Sequence, residues 1–300
     1  MSLDRRGSPM NPEGFGEPQG GAPMNFDWPV GRAGVAVVSP SGVERASIGR
    51  VGGGDEFAVA SVTKLMTTVA TLTAIEGGRL GLDQAVPEAG DGVTVRHLLA
   101  HASGLPFERT GGRRPPGTRR IYSNLGFRVL GEAVADAVGT TFGAWLASSV
   151  LGPLGMSATR LASRRGVEED PAAGAVSTLD DLERLARCLL DRGTPVVGRE
   201  LFAEATSVQF PGLAGLVPGV GRFDPCDWGL GFELHGGKRP HWMGDRRSAA
   251  AFGHFGASGC FLWVDPEAGL ACAAVSDRRF DDGRWAMATW PAWSDRLPAA

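Results

Sequence analysis

Apolar and polar positions divide the 300-residue chain into strand-rich ends around a helix-rich middle. Residues 34–38 form a short apolar run, Ser39-Pro40-Ser41-Gly42 makes a turn, and the chain returns through Ile48, which predicts two strands. A second run, 57–60, leads into a helical pattern over 61–76, with Gly77-Gly78 as its left-handed stop. Leu80, Leu82 and Val86 mark a short segment closing on the core. Helical spacing returns over 94–102, 124–138 (ended by Gly139), 142–150 and 179–190, the last preceded by Ser177 and Thr178 as caps. A loop over 107–120 carries Arg113, Arg114, Arg119 and Arg120. Residues 206–250 are irregular and rich in Gly and Pro. Residues 250–264 and 270–276 read as the two arms of a hairpin around Asp265-Pro266-Glu267-Ala268-Gly269, and 284–297 as a Trp-rich helix. The expected fold class is α/β, assembled from 25–93 and 206–300, with an all-helical domain, 94–205, inserted. Residues 1–24, rich in Gly and Pro and nearly free of aliphatics, read as a disordered tail.

Composition narrows the classes. A hydrophobic fraction of 43% and a charged fraction of 21% belong to an ordinary globular protein. A formal net charge of −3 argues against a nucleic-acid partner. The longest apolar stretches fall short of a membrane span. The four cysteines, 188, 226, 260 and 272, show no C-x-x-C spacing, which speaks against a structural zinc site or a disulfide framework. With no apolar leader before Val30, a cytoplasmic location is expected. No cofactor or metal is expected; His97 and His101 are four apart but lack a third ligand.

Three stretches carry candidate chemistry. Ser61 opens the predicted helix and Lys64 lies three residues on, on the same face. A serine hydroxyl needs a base, and a lysine made neutral by burial is one. Tyr122, the only tyrosine, begins Tyr122-Ser123-Asn124 where the Arg-rich loop meets a helix. Beside a cationic lysine its phenol would be pushed toward phenolate and shuttle a proton, while Asn124 could orient Lys64 or hold a substrate carbonyl. In Gly253-His254-Phe255-Gly256-Ala257-Ser258-Gly259, glycines interrupt a strand pattern, as they do where a ligand or backbone comes close. There the Ala257 N–H, with that of Ser61, would form an oxyanion hole, and His254 would supply a polar or cationic group. Phe223, Trp228, Phe232, Trp242 and Phe255 are candidate walls of an acyl pocket. His235 and His241 fall in the irregular segment and are expected at the surface.

In this order the three motifs resemble the serine β-lactamase and penicillin-binding-protein superfamily, nearest its class C branch with the related esterases and D-amino-acid peptidases. Leu98 to Pro106, Gly174 to Leu182, Trp228-Gly229-Leu230-Gly231-Phe232 and Asp265-Pro266 resemble family text as well, so the similarity runs from about residue 30 to 276. The resemblance implies an antiparallel sheet flanked by helices, a structural role for His101, catalysis by Ser61, Lys64 and Tyr122, and substrate contacts from Asn124, His254, Gly256 and Ala257. Two departures weigh on substrate. The third motif, usually Lys-Thr-Gly or His-Thr-Gly, has Phe255 where a hydroxyl helps grip a carboxylate, and His254 replaces the lysine. The expectation is a serine hydrolase or acyltransferase acting on a small ester or amide. The alternatives are a β-lactamase or D,D-peptidase, and a non-catalytic acyl-binding protein of the same fold. Which of Lys64 and Tyr122 is the main base stays open at this point.

Overall fold

The computed structural model describes residues 24–299. The expected tail thus lies outside the described residues except for Met24, which is buried in a core cluster with Trp28. The two ends of the chain build one antiparallel sheet of six strands, in the order Gly42–Ile48, Ala33–Ser39, Leu270–Ser276, Phe261–Asp265, Phe252–Phe255 and Glu233–Leu234.

Successive side chains of a strand point to opposite faces, and here both faces are apolar. Ala36, Val38, Leu262, Val264, Ala271, Ala273 and Val275 join the helical body through Leu179, Leu182, Leu185 and Leu189 of the Leu179–Leu190 helix. Val35, Val37, Phe261, Trp263, Leu270, Cys272 and Ala274 join a second core with Trp285, Trp290 and Trp293 of the C-terminal Trp285–Ser294 helix. Burial on both faces explains why the central strands are unbroken apolar runs rather than alternating ones. The edge strand Gly42–Ile48 keeps Glu44, Arg45 and Ser47 instead, which discourages pairing with another chain.

Three expectations change. The segment 250–264 is two strands, because the chain turns at 256–260, where Gly256 N–H donates to the Cys260 carbonyl at 2.8 Å. Residues 94–205 are not all helical: Arg160–Leu161 and Ala175–Ser177 form a small sheet with Phe57–Ala58, and the Leu179–Leu190 helix covers the main sheet. The irregular 206–250 segment contains the short strands Gly215–Val217 and Gly221–Phe223, the first pairing in parallel with Arg120–Ile121. Among the described residues, no single helix is long and apolar enough to cross a membrane.

Candidate active site

Ser61 sits in a single turn of 3₁₀ helix, Ala60–Val62, that runs straight into the Thr63–Glu76 helix. The Phe57–Ala58 strand feeds this turn, and Ala60 takes a left-handed backbone (φ 46°) that costs a non-glycine residue energy. Thr63 holds the turn in place: its hydroxyl donates to the Ala60 carbonyl at 2.5 Å and accepts from Ala175 N–H at 2.9 Å. All but three of the fourteen residues in the helix that follows are buried, Lys64 completely.

Lys64 Nζ lies 2.7 Å from Asn124 Oδ1, 2.8 Å from the Ala172 carbonyl oxygen and 3.3 Å from Ser61 Oγ. Burial, the largest influence on Lys64, drives its pKa well below the usual ammonium range; Asp170 opposes this and Arg128 assists it. A neutral amine has two N–H bonds and one lone pair. The carbonyls of Asn124 and Ala172 can only accept, so they take the two N–H bonds. The lone pair is left for the Ser61 hydroxyl.

Asn124 is free for this task because Ser123, not Asn124, caps the Asn124–Val138 helix, its Oγ accepting from Gly126 N–H at 2.8 Å. The Asn124 amide is fixed in turn by donating to Glu108 at 3.0 Å. Arg128, one helical turn on from Asn124, pairs with Glu108 and, through two contacts of 3.1 Å, with the buried Asp170. The sequence held one sign of this support: positions 124 and 128 share a helix face. Nothing marked Glu108 or Asp170.

Tyr122 packs beside this pair, its ring centre 4.8 Å from Lys64 Nζ and 4.7 Å from the His101 ring. Ser61 lines the same cleft and favours the ionised form of the phenol. The expectation of a phenolate is corrected. Burial raises the phenol's pKa, outweighing the Ser61 contact that lowers it, so the resting group is a proton donor. His254 is corrected likewise. Burial lowers its pKa to about 3, leaving a neutral ring whose Nδ1–H donates to the Phe255 carbonyl at 2.7 Å. His101, the residue implied to be structural, accepts at Nδ1 from Ser123 N–H at 3.1 Å.

The turn after His254 is pressed against the Ser61 segment. A Cβ on Gly256 would lie 2.2 Å from the Val59 carbonyl oxygen, so only glycine permits the approach. Ala257 lines the same cleft as Ser61, and its N–H has no protein acceptor among the described residues. Ser61 N–H belongs to the opening turn of a helix, where such groups lack intrahelical partners. Gly256→Ala should therefore push the two donors apart and lower kcat/KM by about 10²–10³-fold, the usual worth of an oxyanion donor. Steady-state kinetics beside a circular-dichroism melt would check it; unaltered kcat/KM in a folded variant would refute this role.

A family model, Beta-lactamase, matches residues 29–293. The chain belongs to the β-lactamase family. A β-lactamase from Mycobacterium bovis superposes with TM-score 0.81 at 46% identity, covering 89% of this chain and 94% of that one. Penicillin-binding protein 4* of Bacillus subtilis is 29% identical over 140 residues, 36% of this chain and 31% of that protein. EstCE1, a hydrolase with promiscuous acyltransferase activity, shares the fold at TM-score 0.70 and 18% identity, covering 89% of this chain and 93% of that one.

In this member of the β-lactamase family, a cleft of about 220 Å³ opens over Ser61, Tyr122, His254, Phe255 and Ala257. Of the five expected wall residues, Trp228 and Phe255 line it. Phe232 is committed to the core against Phe202 and Phe252, and Trp242 lies behind Phe255 at 5.3 Å. Phe223 lies outside the cleft, its ring 5.9 Å from Lys238 Nζ. Phe107, Val217, Pro218 and Phe280 take their places, brought in by loops and by the end of the short Gly215–Val217 strand. Glu233 also lines the cleft. Burial would raise its pKa, but Lys238 and the hydrogen bond from His241 prevail and hold it at about 2. His241 is thus buried rather than exposed, as is His235, whose Nε2 lies 2.9 Å from the Gly244 carbonyl oxygen. Arg120 is buried too, its guanidinium lying under the carbonyls of Ala100, Gln209 and Cys226.

Proposed function

We propose that the chain cleaves a small carboxylic ester with an uncharged acyl part through an acyl-enzyme on Ser61, releasing the acyl group to water or to an acceptor alcohol or amine. The observation that carries this reading is the Lys64 geometry, two obligate acceptors at 2.7 and 2.8 Å with Ser61 Oγ at 3.3 Å. It supports Lys64 as the base. Lys64 Nζ takes the Ser61 proton as Oγ attacks the carbonyl carbon, and the Ser61 and Ala257 N–H groups receive the oxyanion. As the carbon–oxygen bond breaks, Tyr122 gives its proton to the leaving oxygen. The resulting phenolate is neutralised by the Lys64 ammonium, 4.8 Å from the ring centre. Water or an acceptor then repeats the sequence in reverse.

The third motif supports an uncharged group in the cleft that it lines. A carboxylate gripped there would meet the apolar Phe255 and an unprotonated His254 instead of a hydroxyl and a cation. A second reading, cleavage of β-lactams or D-alanyl peptides, draws on the similarity to the Mycobacterium bovis β-lactamase and to penicillin-binding protein 4*. Comparison of kcat/KM for p-nitrophenyl butyrate, D-alanine p-nitroanilide and nitrocefin separates the two. The ester should lead nitrocefin by roughly 10–100-fold, the worth of a missing charge-assisted hydrogen bond. Nitrocefin turned over as fast as the ester would favour the second reading.

A further inference from the structure

Beyond the acyl cleft, a second cavity of about 440 Å³ shares Phe107, Tyr122 and Pro218 with it as a common wall. The two differ in charge. The ionised side chains of the cleft over Ser61 are the carboxylates Glu233 and Asp281, whereas those of the second cavity are Arg119, Arg120 and Arg222. Arg119 and Arg222 are exposed, and among the described residues neither has a carboxylate partner. Arg120 is 2% exposed and bonded only to main-chain carbonyls, with no carboxylate within ion-pair distance. Burial lowers its pKa only to about 10, so it stays charged at neutral pH. Asp227 favours this charge from beyond ion-pair distance, and the three guanidinium groups together give the cavity a positive potential that an incoming anion would satisfy. The apolar walls, Phe107 and Leu216, are two of the three large hydrophobic side chains exposed among the described residues.

Tyr122 lines both spaces. The acyl part occupies the cleft over Ser61, and a leaving oxygen protonated by Tyr122, as proposed above, stands beside the wall that the two spaces share. We infer that this cavity is the leaving-group site and takes an alcohol, phenol or thiol part bearing a carboxylate or phosphate, while the acyl part held over Ser61 is uncharged. The inference rests on the Ser61 reading for its geometry, and its test keeps the two separable.

Two arylesters that differ only in the charge of the leaving group serve as probes: 4-acetoxybenzoate, which releases 4-hydroxybenzoate, and its methyl ester. Each kcat/KM is divided by the hydroxide rate of the same ester. The wild-type ratio, anionic over neutral, should fall about tenfold in Arg119→Glu/Arg222→Glu, since two exposed charges are reversed. It should also shrink in about 0.5 M NaCl. A ratio within about twofold of wild type overturns the inference. Because both residues are exposed, folding is not at stake.

Calorimetry on the Ser61→Ala chain reads the site without turnover. 4-Hydroxybenzoate should bind more tightly than methyl 4-hydroxybenzoate, and the double reversal should abolish that preference. Equal affinities, a preference that survives the reversal, or no binding of either at millimolar concentration would each overturn it. Retained binding preference with no ester turnover would sink the hydrolase reading alone.

Discussion

Lys64→Met should lower ester turnover by about 10³–10⁴-fold, the range expected for losing a general base, while the protein keeps its fold or gains stability. A buried amine held neutral is a burden on the native state. Its pKa is depressed on folding, so between that lowered value and the usual 10.5 the unfolded chain binds the extra proton. Wild-type stability therefore rises with pH across this window and is reduced below it. The methionine variant should lack that slope and melt at the same or a higher temperature near neutral pH. Lys64→Arg should rescue nothing, because a guanidinium cannot give up its proton to become a base. In the wild-type enzyme kcat/KM should fall as pH drops through the lowered Lys64 pKa. The raised Tyr122 pKa should leave no alkaline fall below about pH 10. A variant at position 64 with near-normal rates would remove lysine from the mechanism.

Tyr122→Phe should cost about 10²–10⁴-fold, and the cost should depend on the leaving group. Phenylalanine keeps the ring packing against His101 at 4.7 Å and Trp228 at 6.0 Å and deletes only the hydroxyl. An alkoxide needs a proton as it departs, whereas p-nitrophenolate scarcely does. The loss should thus be large on an ethyl ester and much smaller on the p-nitrophenyl ester of the same acid. Equal losses on both would point to a structural role or to action as base, not to proton delivery.

The groups legible in the sequence are those fixed by short-range geometry. Ser61 and Lys64 meet because three residues make nearly one helical turn, and Asn124 reaches Lys64 once Ser123 assumes the cap. The apolar runs at the two ends announce a sheet, and its central strands show no polar face because helices cover both sides. What stayed hidden depends on distant partners. Tyr122 and His254 look alike to a reader of residue types, yet burial decides that one keeps its proton and the other loses it. His235, His241 and Arg120 sit in polar-looking text but are buried against Gly244, Glu233 and a set of carbonyls. Phe232 and Trp242 read as pocket walls because aromatic residues suit both a pocket and a core, and only packing tells them apart.

Covalent capture at Ser61 bears on the account most directly. The full chain is quenched in acid during turnover of p-nitrophenyl butyrate, or treated with a fluorophosphonate, and its intact mass is measured beside Ser61→Ala. One butyryl or phosphonyl group should appear per chain, map to the peptide holding Ser61, and be absent from the alanine variant. A chain that hydrolyses the ester yet carries no adduct, or carries it on another residue, would contradict the account.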